Sequence, residues 1–369
     1  MTGEKLYQVA LTLIPGIGDI TIKLLISYLG SPDNVYKASK SKLNSVPGVG
    51  PTIAEAILKK NTFSAAKKEI SRCKDKNIEL LFYTDLSYPE RLKQMDDAPA
   101  LLYFKGNADL NTKRIVGIVG TRKATAYGKS ITQRLVEGLA PYQPLIVSGL
   151  AYGIDIQAHR ISLKSKLPTI GVLGSSIDVI YPAIHKDTCN RMVTQGGLLS
   201  ENKLGTKPDA FHFPARNRII AGLSDALVVV EAAKKGGALI TAHLARRYKK
   251  KLFAMPGSIE ETSSEGCHNL IKKKQAHLLT GAKDLTTIMG WDLQESSDAS
   301  HQEEFDKSDF SGEELKILSL LSNNQREMLI DDLSWKSQIP INRVASLLLT
   351  LEFSGWVKSM PGKKYVLSK

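Results

Sequence analysis

Basic side chains stand at the expected starts of two helices in this chain. Arg122 and Lys123 follow the apolar run 115–119 and the turn at Gly120 and Thr121. Arg216, Asn217 and Arg218 fall in the first turn expected after Pro214. A helix amino end carries roughly half a positive charge, so a cation there costs about 0.3–1 kcal/mol and a carboxylate is the usual occupant. Guanidinium groups fit there if an anion completes the site, because arginine binds phosphate oxygens through paired hydrogen bonds. The alternative is pairing inside the protein, with Asp155, Glu201, Asp225 and Glu231 all near expected strand ends. Cationic residues in two such loops favour phosphate over internal pairing.

The elements that must carry these residues follow from periodicity. Strands are expected at 115–119, 145–147, 168–173, 198–200, 226–231 and 251–255, with helices between them, which is the pattern of a parallel α/β sheet. Ligands of such sheets sit beyond the carboxyl ends of the strands, where helix amino ends point. The loop Ser148, Gly149, Leu150, Ala151, Tyr152, Gly153 falls there, as do Gly236, Gly237 and Thr241 of the run GGALITA. Two familiar motifs are rejected. Gly128-Lys129-Ser130 resembles the end of a Walker A loop, but the position of its first glycine is Lys123. The first strand is followed by no GxGxxG, so neither ATP hydrolysis nor dinucleotide binding is supported, and no cofactor is expected.

Composition narrows the partner. The formal charge is +13, yet Asp292 to Gly312 holds seven acids and one lysine, a net of −6 that leaves +19 on the rest. A basic body of that size favours a polyanion, nucleic acid first, over a charge that serves only solubility. Cys73, Cys189 and Cys267 are far apart with no CxxC, which indicates neither a disulfide framework nor a metal site. No apolar run approaches a membrane span and residues 1–11 lack a signal-peptide core, so a cytoplasmic protein is expected.

The amino-terminal segment repeats itself. Ile14-Pro15-Gly16-Ile17-Gly18 recurs as Val46-Pro47-Gly48-Val49-Gly50, 32 residues on, and each copy precedes an amphipathic helical stripe. Pro-Gly-x-Gly before a helix resembles a helix-hairpin-helix, whose glycines let backbone N–H groups approach phosphate. Asp19 and Glu55 occupy places where lysine would suit DNA, which favours a structural module. At the other end, three amphipathic stretches (314–321, 329–337, 341–353) and a hairpin describe a winged helix. Asn342, Arg343, Lys363 and Lys364 would read DNA, but the third helix has few basic residues, so protein contact is the favoured role.

The runs VGTR (119–122), SGLAYGID (148–155), LGSSIDVIYP (173–182), LLSE (198–201), FPARNRIIAGLSD (213–225), GGALITA (236–242), AMPG (254–257) and EGCHNLIK (265–272) together resemble the DprA/Smf family. The resemblance implies an extended Rossmann-like parallel sheet, an N-terminal all-α sterile-alpha-motif-like module and a C-terminal winged helix. It divides the chain into residues 1–84, 85–284, an acidic linker 285–312, and 313–369. It also implies a non-enzymatic homodimer that binds single-stranded DNA and loads the RecA recombinase. Phosphate contacts would come from Gly120, Thr121, Arg122, the loop 148–153, Arg216, Asn217, Arg218 and the helix amino end at 236–241. Val179 stands where some members place a base-stacking aromatic, so backbone grip dominates there. His268 stands where the family has Asn and has no partner histidine at ligand spacing, so it is given no metal or catalytic role. Tyr152 and Tyr181 offer faces for bases, or pack.

Two rivals belong to other classes. Nucleoside-monophosphate phosphoribohydrolases share this kind of sheet and carry PGGxGTxxE. Here Leu239 replaces the third glycine and His243 the catalytic glutamate, which removes the carboxylate that hydrolysis needs. A duplex-DNA regulator built on the winged helix leaves the central domain unexplained.

Overall fold

All six apolar runs expected between 115 and 255 form strands, each within two residues of its expected ends. The computed structural model describes residues 3–291, 310–324, 327–337, 339–360 and 362–367. The chain divides into two compact units, 1–293 and 294–369.

The first unit opens with α1 (Gly3–Thr12), α2 (Asp19–Leu29), α3 (Pro32–Lys37), α4 (Lys40–Asn44), α5 (Pro51–Leu58) and α6 (Phe63–Asp75). The repeated hairpins precede α2 and α5. Gly16 and Gly48 adopt φ of +81° and +79°, which only glycine takes readily, while Ile14, Ile17, Val46 and Val49 turn into the core. Asp19, at the start of α2, accepts hydrogen bonds from the Ala100 N–H at 2.8 Å and from Arg218 at 3.3 Å. The first hairpin is therefore docked on the sheet domain.

The sheet follows, comprising β1 (Glu79–Phe82), α7 (Glu90–Lys93), β2 (Leu101–Gly106), β3 (Ile115–Val119), α8 (Ala126–Leu139), β4 (Leu145–Ser148), α9 (Ile154–Lys164), β5 (Thr169–Val172), α10 (Lys186–Thr194), β6 (Gly196–Ser200), α11 (His212–Leu223), β7 (Ala226–Val229), α12 (Gly237–Arg247), β8 (Lys251–Ala254), α13 (Glu265–Lys272), β9 (His277–Leu278) and α14 (Ala282–Met289). The strand order is β1-β2-β6-β5-β4-β3-β7-β8-β9. Strands β3 to β9 run parallel, and β2 and β1 extend the sheet antiparallel. From β3 the chain winds one way through β4, β5 and β6, then the other way through β7, β8 and β9, so the switch in direction lies between β3 and β7. Side chains alternate across β3: Ile115 and Val119 face one core, Val116 and Ile118 the other, the latter with Ile131, Leu135 and Leu139 of α8.

Two expected boundaries move. Strand β1 lies before residue 84 yet pairs with β2 from Glu79↔Phe104 to Phe82↔Leu101, so it belongs to the sheet. Position 284 falls inside α14, whose Leu285 is fully buried in the core beside α8, so the sheet domain runs on through it. Strand β9, two exposed residues long, was too short to leave a periodic trace. The rest of the acidic linker, 292–309, lies outside the described residues.

The carboxyl-terminal unit has helices Gly312–Asn324, Ile330–Ser337 and Ile341–Phe353 and the strands β10 (Met328–Leu329), β11 (Val357–Met360) and β12 (Lys364–Leu367), ordered β10-β12-β11. It is a winged helix, with the unexpected β10 taking Leu329 out of the second helix. Arg343 pairs with Glu313 at 2.9 Å and Lys364 with Glu327 at 2.8 Å. Leu349 and Phe353 remain exposed on the third helix.

One core histidine makes stability depend on acidity. The Thr169 hydroxyl donates to the Ile146 carbonyl, so His159 Nδ1 must be the donor in its 2.7 Å contact with Thr169. Its Nε2 is buried without a partner. Burial, aided by the nearby Arg216 charge, pushes this imidazole down to about 3. The native state thus refuses a proton that the unfolded chain accepts below about pH 6.5. This contribution is complete above that pH and is lost as the pH falls towards 3, at about 1.4 kcal/mol per pH unit. Urea unfolding of His159→Gln between pH 7 and 4.5 should show a correspondingly shallower pH slope than the parent; parallel slopes would remove His159 as the cause.

Candidate nucleic-acid interface

A cleft of about 630 Å³ opens at the carboxyl ends of β3 and β7, where the winding reverses. Such a crevice is where open α/β sheets take their ligands. Its walls are the loops after β3, β4, β5, β6 and β7, together with the first turns of α11 and α12.

Backbone contacts stitch these loops together. The Thr121 N–H donates to the Glu231 carbonyl at 2.8 Å, and the Thr121 carbonyl accepts from the Ile154 N–H at 3.2 Å. That close approach requires glycine on both sides. A Cβ at Gly120 would sit 2.5 Å from Ile154 Cγ1, and one at Gly153, where φ is +78°, would sit 2.1 Å from the Thr121 carbonyl oxygen. Thr125 caps α8, its hydroxyl accepting from the Gly128 N–H at 3.0 Å, and Glu231 holds that cap, accepting from the Thr125 backbone and hydroxyl at 3.1 and 2.5 Å. The expected carboxylate does serve that helix end, and Arg122, three residues before Thr125, is left exposed on the rim.

Arg122 makes no ion pair with any described residue; its guanidinium lies 5.8 Å from the Phe213 ring centroid. Lys235, exposed, lines the same cleft ahead of Gly236 and Gly237. A Cβ added at either of these glycines would meet nothing within 4 Å, so the fold itself does not demand glycine there. Their small size leaves room for something outside the protein to approach the α12 amino end, whose first N–H groups have no intrahelical partner. Thr241 and Asn217 face the cleft and both bond the Gly237 carbonyl, at 3.2 and 3.5 Å.

Arg216 also faces the cleft but is 5% exposed. Its Nη1 donates to the carbonyls of Gly149, at 2.5 Å, and Val172, and its Nε to Asn217 at 3.1 Å. It therefore ties the ends of β4 and β5 together. Asp155 lies beside it: the Arg216 guanidinium and the Asp155 carboxylate both come within 2.6 Å of where a Gly149 Cβ would be. Burial raises the Asp155 carboxyl above its ordinary range, with Arg216 pulling it back. Burial lowers Arg216 to about 10, with Asp155 opposing the shift.

Arg218 is a correction. It bonds Glu201 at 2.6 Å and Asp19 at 3.3 Å, away from the cleft. Residues two apart on a helix point about 200° apart, so Arg216 and Arg218 cannot share a face of α11. The pair also lies in the second turn of α11, which starts at His212. Of the other expected residues, Gly120, Thr121, Ala151, Gly236 and Gly237 line the cleft. Ser148 is buried behind it, donating to the Ile118 carbonyl at 2.5 Å, and Gly149 lies under Arg216. Gly153 shapes the loop, while Lys123 and Tyr152 are exposed outside the cleft. His268 bonds the Gly257 backbone. Lys235 and Phe213 were missed as site residues, although the Lys-Lys-Gly-Gly run after β7 was a visible signal for the first.

Arg122, Arg216 and Lys235 thus oppose one buried carboxylate, Asp155, among the cleft's charged groups. Aromatic and aliphatic surface comes from Phe213, Tyr181, Pro214 and Ile220. No group of three His, Cys, Asp or Glu that could hold a metal occurs among the described residues, and no helix among them is long and apolar enough to cross a membrane. Positive charge, a π face and open backbone donors are the means of holding a phosphodiester strand.

Comparison with known proteins gives three family-model matches: DNA recombination-mediator protein A over residues 79–290, a DprA winged helix domain over 301–363, and a SAM-like helix-hairpin-helix tandem over 9–62. The chain is 42% identical over 201 residues to the DNA processing protein DprA of Streptococcus pneumoniae, covering 54% of this chain and 71% of that protein. It is 36% identical over 272 residues to Protein Smf of Synechocystis, covering 73% and 68%. Among solved structures, DprA of Streptococcus pneumoniae superposes with a TM-score of 0.67 at 32% identity, covering 78% of this chain and 98% of that one. DNA processing protein A of Helicobacter pylori, described for its single-stranded DNA binding mode, gives 0.52 at 31%, covering 61% and 97%.

Proposed function

This chain belongs to the DprA/Smf family of DNA-processing proteins, and from that membership we propose that its cleft binds single-stranded DNA, chiefly by the phosphates, as a step in DNA recombination. The observation that carries the reading is a pair of exposed cations, Arg122 and Lys235, that line the same switch-point crevice and pair with no acid among the described residues. The α12 amino end offers backbone donors to a phosphate between them. Phe213, under Arg122, offers a face to a base without reading its identity. The Helicobacter pylori relative, known for its single-stranded DNA binding mode, supports the same substrate. Arg216 and Asp155 hold the cleft's shape and Arg218 holds the amino-terminal module; none of the three contributes a free charge. In this reading the protein acts by binding: among the charged groups that line the cleft, three are cations and one, the buried Asp155, is a carboxylate. In this reading a homodimer in the cytoplasm hands the strand to the RecA recombinase, in keeping with the family's description as a recombination mediator. The winged helix serves protein contact: Arg343 and Lys364 are paired with acids, and Leu349 and Phe353 are exposed.

The test is a fluorescence-anisotropy titration of the full chain with labelled oligothymidylate and with a duplex of equal length. Single strands should bind at least about tenfold more tightly, with an affinity falling steeply with salt. A chain ending at residue 309 should keep its single-strand affinity within about threefold. Equal affinity for duplex, or a large loss on truncation, would move the binding site to the winged helix.

A further inference from the structure

The cleft leaves unexplained a second feature of the same rim. Tyr152 lies outside it, 49% exposed, between the fully buried Leu150 and Ile154. Its ring stands edge-on to His185, with centroids 5.2 Å apart and planes at 68°. His185 is itself fixed, its Nδ1–H donating to the Leu150 carbonyl at 2.9 Å. The tyrosine is thus held on one side by a fixed ring and about half of it is left to solvent. Beside it are Ile184, 72% exposed, and two exposed cations, Arg160 on α9 and Lys186 at the start of α10; Asp187 is the acid that follows. The Arg160 charge reaches His185, where it adds to burial in holding the imidazole below its ordinary value.

A tight turn of the chain, closed by the His185 N–H on the Pro182 carbonyl at 3.0 Å, joins this group to the cleft. Arg122 lies over Phe213, and Phe213 lies against Tyr181 on the lip, with centroids 5.7 Å apart at 40°. Four residues further on is His185, carrying Tyr152. The path crosses the carboxyl edge of the sheet, from the side covered by α11 and α12 to the side covered by α9 and α10. A protein partner would also use an exposed tyrosine, but cations flanking a ring, in line with a cleft of the same charge, fit a polyanion with stacking bases.

We propose that Tyr152 is a second base platform, so that a strand seated in the cleft continues over the Tyr181–His185 turn and stacks a nucleotide on this ring, with Arg160 and Lys186 taking its phosphate. The proposal rests on single-strand binding in the cleft and adds length to it. The experiment measures affinities of the full chain for labelled oligothymidylates from 3 to about 15 nucleotides, for the parent, Tyr152→Ala and Tyr152→Phe. Parent affinity should climb with length to a plateau. Tyr152→Ala should match the parent on the shortest strands, reach its plateau one or two nucleotides sooner and bind long strands about tenfold more weakly, while Tyr152→Phe follows the parent. An equal loss at every length, or no loss at any, overturns the platform while leaving cleft binding intact. Absence of oligothymidylate binding by the parent itself overturns both.

Discussion

Arg216→Leu should destabilise the protein by about 3–5 kcal/mol, although the side chain looks like a ligand-binding arginine. The substitution leaves the Asp155 carboxylate buried without its compensating charge, and it strips the Gly149 and Val172 carbonyls of their donor. Leucine fills much of the volume, so the loss is electrostatic rather than a cavity effect. Urea unfolding at pH 7 measures it. The double variant Arg216→Leu with Asp155→Leu should recover at least half, because an apolar pair of similar volume often replaces a buried ionic one at little net cost. The penalty of the single variant should also shrink in acid: the raised Asp155 carboxyl is charged above its native pKa and becomes neutral as the pH falls through it. A loss under about 1 kcal/mol, or a double variant no better than the single, would show that the two groups are not coupled.

The second large effect is on binding alone. Arg122→Glu combined with Lys235→Glu should lower oligothymidylate affinity by about 100-fold or more at low salt. Each lost phosphate contact should also reduce the log–log salt slope by about 0.7. Both side chains are exposed and neither is paired with a described residue, so the melting temperature should stay within about two degrees. Anisotropy titrations at several salt concentrations, beside a thermal melt, decide it. Affinity within threefold of the parent would place the phosphates elsewhere, and a collapsed melt would reveal a structural role for these lysine and arginine side chains.

These variants show where the sequence is informative and where it is silent. The strands from Ile115 to Ala254 were legible because each is a short apolar run bounded by glycine or small polar residues, as suits strands buried on both faces of a parallel sheet. The loops at their carboxyl ends were legible for the same reason. The roles of the arginines were not. Arg122, Arg216 and Arg218 look alike as letters beside helix starts, yet one lies over the Phe213 ring with no ion pair among the described residues, one braces two strands and one latches a neighbouring module. Only the turn of α11 decides between the last two, and its start at His212 rather than at Pro214 depends on tertiary packing. Glu231 shows the same limit, since it lies 106 positions downstream of Thr125 and yet holds that residue, the cap of α8, in place. Lys235 was visible beside two glycines, but its place in the same cleft as Arg122 depends on β7 lying next to β3, a pairing that no local pattern encodes.

The latch formed by Asp19, Arg218 and Glu201 has a consequence for how this protein can be cut or recombined with its relatives. Removing the amino-terminal helices would do more than shorten the chain: it would unseat an N–H at Ala100 and leave Glu201 to satisfy Arg218 alone, on the same helix that braces the strand ends through Arg216. A grafted module that brings its own hairpin must therefore bring an acid at the first helical position, or the Ala100 N–H loses its acceptor and Arg218 keeps one acid instead of two.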